Sequence, residues 1–183
     1  MIWAWIAGAL ILLALFGVYL SMTAGRLDAL HKRIDTSTLT LDAQLLRRSS
    51  VALELATCGL LDPAEAMVLS DAAHNARTTT TDGVSAPQRW VVESNLTDIL
   101  SVTLDDEEVA AIRDNGEGVE LLDELIAAAT RVELATRFLN EAVRACVQLR
   151  RQRMVRWFHL AGHTPWPQAV EMDVAVPESL GEG

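Results

Sequence analysis

Ile2 to Gly25 read IWAWIAGALILLALFGVYLSMTAG, and no side chain among them carries a charge. Ile2 to Leu20 are almost wholly apolar. An α-helix rises about 1.5 Å per residue, so ~20 such residues reach ~30 Å, the thickness of a bilayer's hydrocarbon layer. Trp3, Trp5 and Tyr19 fall near the two ends of the run, where amphipathic rings prefer the membrane interface. A secretory signal would also present an apolar run, and Ser21-Met22-Thr23-Ala24-Gly25 offers small residues near a cleavage point. The segment before the run has no Lys or Arg, however, and the run is longer than a typical signal core, which favours an uncleaved anchor. Arg26, Lys32, Arg33, Arg47 and Arg48 all follow it, so the positive-inside rule puts the N-terminus outside and the chain after Arg26 in the cytoplasm. The expectation is a single-pass protein of the cell membrane. Gly8, Ala14 and Gly17 are small positions on an otherwise bulky helix and would let a partner helix approach closely. With no His, Cys or Met between Ile2 and Leu20, the run offers no ligand for a haem or copper, and no cofactor is expected.

The whole chain has 183 residues, a formal charge of -10, 50% hydrophobic residues and a mean hydropathy of +0.20, which excludes a disordered polymer. An acidic total argues against general nucleic-acid binding. Aromatics are scarce and no long alternating β-branched run occurs, so the composition favours an all-α fold. Cys58 and Cys146 lie far apart inside helical patterns and read as buried thiols in a reducing compartment.

Beyond the apolar run, Leu27, Leu30, Ile34, Leu41, Leu45, Ala52 and Leu55 recur at three- and four-residue spacing, and Leu39, Leu46 and Leu53 add a second stripe. No breaker interrupts this pattern before Gly59, which predicts one continuous helix from the membrane. Asp62-Pro63-Ala64-Glu65 reads as an N-cap, a Pro at the first helical position and a capping-box Glu, opening a helix to about Arg77. Thr78 to Pro87 reads as a loop, Gln88 to Val102 as a third helix, and Asp105-Asp106 as the cap of a short fourth one that stops at Asn115-Gly116. Glu117 to Arg156 predicts a second long helix. The tail from His163 is Pro-containing and acidic, and is expected to be irregular and partly disordered. The organisation is therefore an anchor over 1–25, an antiparallel bundle with two long helices over 26–162, and a tail over 163–183.

Candidate chemistry is sparse. His159 and His163 are four residues apart, but Gly162 falls between them, no Glu accompanies them and no third ligand is placed, so the pair reads as structural or interfacial. The run DDEEVAAIRD, Asp105 to Asp114, does not follow the spacing of a calcium loop and reads as a solvated helix start. There is no P-loop, nucleophile elbow or Cys-His signature, and no catalytic function is expected.

Arg150 to Gly162, RRQRMVRWFHLAG, is out of character for an acidic chain, with four arginines within seven residues followed by Trp and Phe. The first long helix runs roughly 50 Å past Arg26 and the second roughly 60 Å. Packed antiparallel, they return this segment to the bilayer surface. Arg150, Arg151, Arg153 and Arg156 would then meet lipid headgroups or an acidic membrane partner, with Trp157 and Phe158 at the interface. The alternative makes both aromatic residues core and the arginines a solvated face.

These segments together carry a family resemblance. The anchor, the stretch RLDALHKRIDTSTLTLDAQLLRRSSVALELA from Arg26, the late helix ATRFLNEAVRACVQLRRQRMVRWFHLAG from Ala135, and the exit PWPQAVEMD from Pro165 resemble LemA-type proteins. Arg47-Arg48 is similar to the paired basic residues of that family, and Asn140 to Arg144 to its NEAVR helix. Where the family commonly has Phe-Glu, this chain has Val170-Glu171. LHKRIDTS and LDAQLLRR are more similar to actinobacterial versions, among them accessory subunits of the cytochrome bcc-aa3 respiratory supercomplex. The resemblance implies a non-catalytic single-span subunit partnered by a larger integral membrane complex, the bcc-aa3 oxidoreductase, in its assembly or stability; the competing implication is an independent membrane-tethered adaptor or sensor.

Overall fold

The computed structural model describes residues 2–81, 86–158, 160, 162, 164–176 and 178–181. Among them, helices are the regular structure and no strand occurs: α1 (Ile2–Thr57), α2 (Pro63–Thr81), α3 (Ala86–Thr103), α4 (Asp106–Arg113), α5 (Gly116–Arg150), α6 (Arg153–Trp157) and α7 (Glu178–Gly181). The all-α expectation holds. So does the unbroken first helix, which carries the apolar run and its continuation as one element of 56 residues. Gly59 follows it with φ +82°, a left-handed turn conformation that a side chain would oppose.

The chain divides into two compact units, residues 1–36 with 140–169, and residues 37–139 with 170–183. The second holds the larger core. Leu55, Leu69, Leu96, Leu100, Ile112 and Leu125 belong to one buried cluster drawn from α1 to α5, to which Leu180 of α7 is added. Gly118 lets these elements approach, because a Cβ there would stand 2.7 Å from Ile112 Cγ2 and 2.8 Å from Leu60 Cδ1. Aliphatic side chains buried to this extent contribute about 1.5–3 kcal/mol each, so the cluster dominates the cohesion of this unit. In the first unit the cluster is small, Leu27, Cys146, Leu149 and Val155, flanked by Leu30, Ile34 and Leu160.

Several boundaries differ from the sequence reading. α2 runs past Arg77 to Thr81, because threonine hydroxyls satisfy carbonyls of their own helix: Thr78 Oγ1 donates to His74 O at 3.0 Å and Thr79 Oγ1 to Asn75 O at 2.7 Å. Asp62 caps this helix, accepting from the Ala64 N–H at 2.9 Å, but Glu65 does not close the capping box, and its Oε2 is buried without a hydrogen-bond partner. Asp105 caps α4 as expected, accepting from the Glu108 N–H at 2.9 Å. The second long helix stops at Arg150 instead of Arg156, and α6 begins after an extended Gln152 with ψ 136°. No Pro or Gly causes that break; it is the turn by which buried Val155 joins the Leu27 cluster. Cys146 is buried, whereas Cys58 is exposed, because it sits in the turn that ends α1. Residues 164–176 are irregular, yet not loose: Asp173 is tied on both sides of its peptide, and Val170 is buried.

Candidate membrane and partner interface

On the first half of α1 the apolar residues stand outward on nearly every side. Trp3 and Trp5 are 83% and 80% exposed, Tyr19 is exposed, and Leu10 to Leu13 are open without interruption. The helix is long and apolar enough to cross a membrane, with a mean hydropathy of 2.1 in its most apolar window. A Cβ built at Gly8 or Gly17 meets nothing within 4 Å, so these small positions are open surface. One stripe of α1 is covered, through Phe16, Leu20, Thr23, Leu27, Leu30 and Ile34. Its spacing of four and three keeps these residues on one face. The stripe begins inside the apolar run, where Phe16 meets Phe158 edge-on, ring centroids 5.4 Å apart. Thr23 hides its hydroxyl on this face by donating to Tyr19 O at 2.9 Å.

The basic segment separates into two kinds of arginine. Arg150 is buried to 7% exposure, and its guanidinium donates to Pro165 O and Thr164 O, each at 2.7 Å, while lying 4.5 Å over the Trp166 ring. Expected at a headgroup or partner surface, it is instead an internal clasp, because two carbonyls and an indole face replace the water around its charge. Arg151, Arg153 and Arg156 are exposed. Trp157 is 78% exposed and Phe158 46%, so neither is a core residue. Arg153, Arg156 and Trp157 line a cleft of about 370 Å³; Arg26, Leu30, Gln148 and Gln152 help line a second of about 350 Å³. Burial pushes the Cys146 thiol up, with Arg150 opposing it, which keeps the sulfur protonated and inert. His159 and His163 lie outside the described residues. Among the described residues, no group of three or more His, Cys, Asp and Glu is placed to hold a metal ion.

Charge divides between the units more sharply than the total suggests. Residues 1–36 and 140–169 carry eight Lys and Arg against three Asp and Glu, a net of +5; the remainder carries seven against 22, a net of -15. Of the three carboxylates in the basic unit, Asp28 is engaged by Lys32 at 2.9 Å, and this partner raises the Lys32 pKa. No acid at all lies between Glu141 and Glu171.

Sequence reasoning missed a polar lock in the acidic unit. Arg48 and Glu93 are 1% and 0% exposed. The Arg48 guanidinium donates to Glu93 Oε2 at 2.8 Å, to Glu93 O at 3.0 Å and to Thr97 Oγ1 at 3.0 Å. The Thr97 hydroxyl lies 3.0 Å from Asp173 O, and the Asp173 N–H donates to Ser94 Oγ at 2.9 Å, so the same turn of α3 grips both α1 and the tail. Arg47, the other half of the basic pair, faces outward and pairs with Glu124. The discriminating signal was helical phase: Leu41, Leu45, Arg48, Ala52 and Leu55 keep one three-four repeat, and Arg47 falls off it.

No family model matches the chain, and no curated protein or solved structure does.

Proposed function

We propose that the chain is a single-span membrane protein with its N-terminus outside and residues after Arg26 in the cytoplasm, acting as a non-catalytic accessory subunit of a larger integral membrane complex. The observation that carries this reading is a helix apolar and exposed on almost all sides over residues 2–22, within a unit whose net charge of +5 comes entirely from residues after Gly25. A helix that its own chain covers along one stripe only needs lipid or another protein around the rest, and cations just past an apolar run are held on the cytoplasmic side. Two long helices folded antiparallel suit this role. In support, Phe16 meets Phe158 while Leu27, further along α1, clusters with the earlier residues Cys146 and Leu149. The partner is the cytochrome bcc-aa3 supercomplex, a choice that rests on the resemblance of the LHKRIDTS and LDAQLLRR stretches.

The test is purification in mild detergent through a tag on the chain's C-terminus, followed by absorption spectroscopy. Co-purifying a-, b- and c-type haem bands are the expected result; a colourless monomer would sink the subunit reading. A second reading is favoured by the net charge of -15 on residues 37–139 and 170–183. In it, the chain is an independent membrane-tethered adaptor whose acidic unit recruits a basic soluble partner. That reading expects the colourless preparation to carry a soluble protein that salt releases.

A further inference from the structure

We propose that the cleft between Arg153, Arg156 and Trp157 binds the phosphate of an anionic phospholipid in the leaflet next to the folded units. The proposal rests on the reading of α1 as a membrane span and names the lipid that its base selects. Three observations converge on it.

The first is level. Phe158, directly after α6, sets its ring against Phe16, inside the apolar run. Phe16 lies four residues before Leu20, the last residue of that run, a rise of roughly 6 Å along the helix. The end of α6 therefore lies beside the apolar stretch instead of below it. Arg156 and Trp157 come just before that ring, where a guanidinium on a flexible stem and an indole both sit at headgroup depth.

The second is charge. Arg153 and Arg156 are exposed, and among the described residues neither has a carboxylate in ion-pair reach. Arg150 is withdrawn into its clasp on Thr164 and Pro165, so the two arginines at the cleft are a selected pair and not merely part of a basic run. The guanidinium fork matches phosphate oxygens in two-point contact, as an ammonium does not.

The third is shape. Two arginines and a tryptophan border a cleft of about 370 Å³. A single water needs only about 10–15 Å³ of such space, so the cleft takes more than a bare ion. An acidic protein segment would satisfy the charge equally. The ring contact within the apolar run favours lipid, because that depth is where headgroups and the first acyl carbons are.

The experiment uses the full chain in nanodiscs of phosphatidylcholine doped with brominated-tail phosphatidylglycerol or brominated-tail phosphatidylcholine, reading tryptophan quenching. The mole fraction of brominated lipid for half-quenching is expected to be lower for phosphatidylglycerol, on the order of fivefold for each arginine engaged. That contrast should disappear in Trp157→Phe, which removes the reporter, and in Arg153→Gln with Arg156→Gln, with helicity by circular dichroism unchanged in both. Equal quenching by the two lipids in the unsubstituted chain overturns the proposal and leaves the span intact, as does a contrast that survives the double substitution. Loss of the contrast on adding inorganic phosphate also overturns it, by reassigning the cleft to a free anion. No quenching of any tryptophan by either lipid overturns it together with the membrane reading beneath it.

Discussion

In the acidic unit an arginine with almost no exposure meets an equally buried glutamate, and a leucine-rich cluster from α1 to α5 surrounds its own apolar surface. In the basic unit the buried cluster is small, Trp157 and two guanidinia stand in the open, and apolar side chains cover the outside of a long helix. The same polypeptide thus uses arginine in opposite ways: desolvated and paired in the larger core, exposed and without a carboxylate in reach among the described residues in α6. Buried charge without a partner costs several kcal/mol, so Arg48 is tolerated only because three acceptors converge on it. The arginines of α6 incur no such cost while hydrated and keep their bonding capacity for a ligand.

The most severe way to break this comparison is Arg48→Ala. Glu93 would be left buried beside an empty site, and the loss should be about 3–5 kcal/mol, read as a melting-temperature drop of roughly 10 °C or more by far-UV circular dichroism of the detergent-solubilised chain. Arg48→Met combined with Glu93→Met should restore most of that loss, since two apolar side chains need no partner. A single substitution without effect would mean that the core alone holds the acidic unit.

Arg150→Ala asks the same question of the basic unit's own lock. Two charge-assisted hydrogen bonds and the stacking on Trp166 are lost, at about 2–3 kcal/mol. The damage should be local, seen as faster amide hydrogen exchange around residues 164–170 with exchange over 86–103 unchanged. Faster exchange across α3 as well would erase the distinction between the two units.

A smaller effect tests whether the acidic unit carries avoidable repulsion. Burial at the start of α4, then Glu65, Asp105, Asp62 and Glu107 in that order, raise the Glu108 pKa. A carboxyl whose pKa is raised on folding binds its proton more tightly in the folded state. Its favourable contribution is complete below the unfolded carboxylate range and is lost as pH rises through the raised value. Glu108→Gln should therefore raise the melting temperature near neutral pH, by less than about 1 kcal/mol because the site is partly hydrated, and leave it unchanged in acid. An equal gain at both pH values would locate the cause in packing.

The smallest expected change in stability belongs to Trp157→Ala. A ring this exposed leaves no cavity, so the melt of the detergent-solubilised chain should move by no more than about 0.5 kcal/mol. A drop of roughly 3–5 kcal/mol, as for a core aromatic, would remove Trp157 from the interface.

Much of the helical layout was legible because its signals are local. The charge-free run, the three-four spacing from Leu27 to Leu55, Gly59 after α1, and the Asp62 and Asp105 caps each depend on residues within a few positions of one another. Thr78 and Thr79 misled because threonine suits a loop by composition, while hydroxyls bonded back to carbonyls allow it to extend a helix. The break at Arg151-Gln152 has no local cause and could not be read from propensity. Arg150 and Arg151, adjacent and identical in type, have opposite fates that composition cannot separate.

From the sequence alone came the all-α class, a first helix apolar enough to cross a membrane, and a charge of either sign for any segment one chooses to sum, since these depend only on residue type and periodicity. Which segments to sum was decided by the tertiary structure, because residues 1–36 join 140–169 through packing between stretches distant in the chain. It also decided which of Arg47 and Arg48 would be desolvated. That choice requires a carboxylate 45 residues away to arrive at the right turn of another helix, and the register of one helix against another is set by side chains fitting together in three dimensions, not by any pattern along one of them.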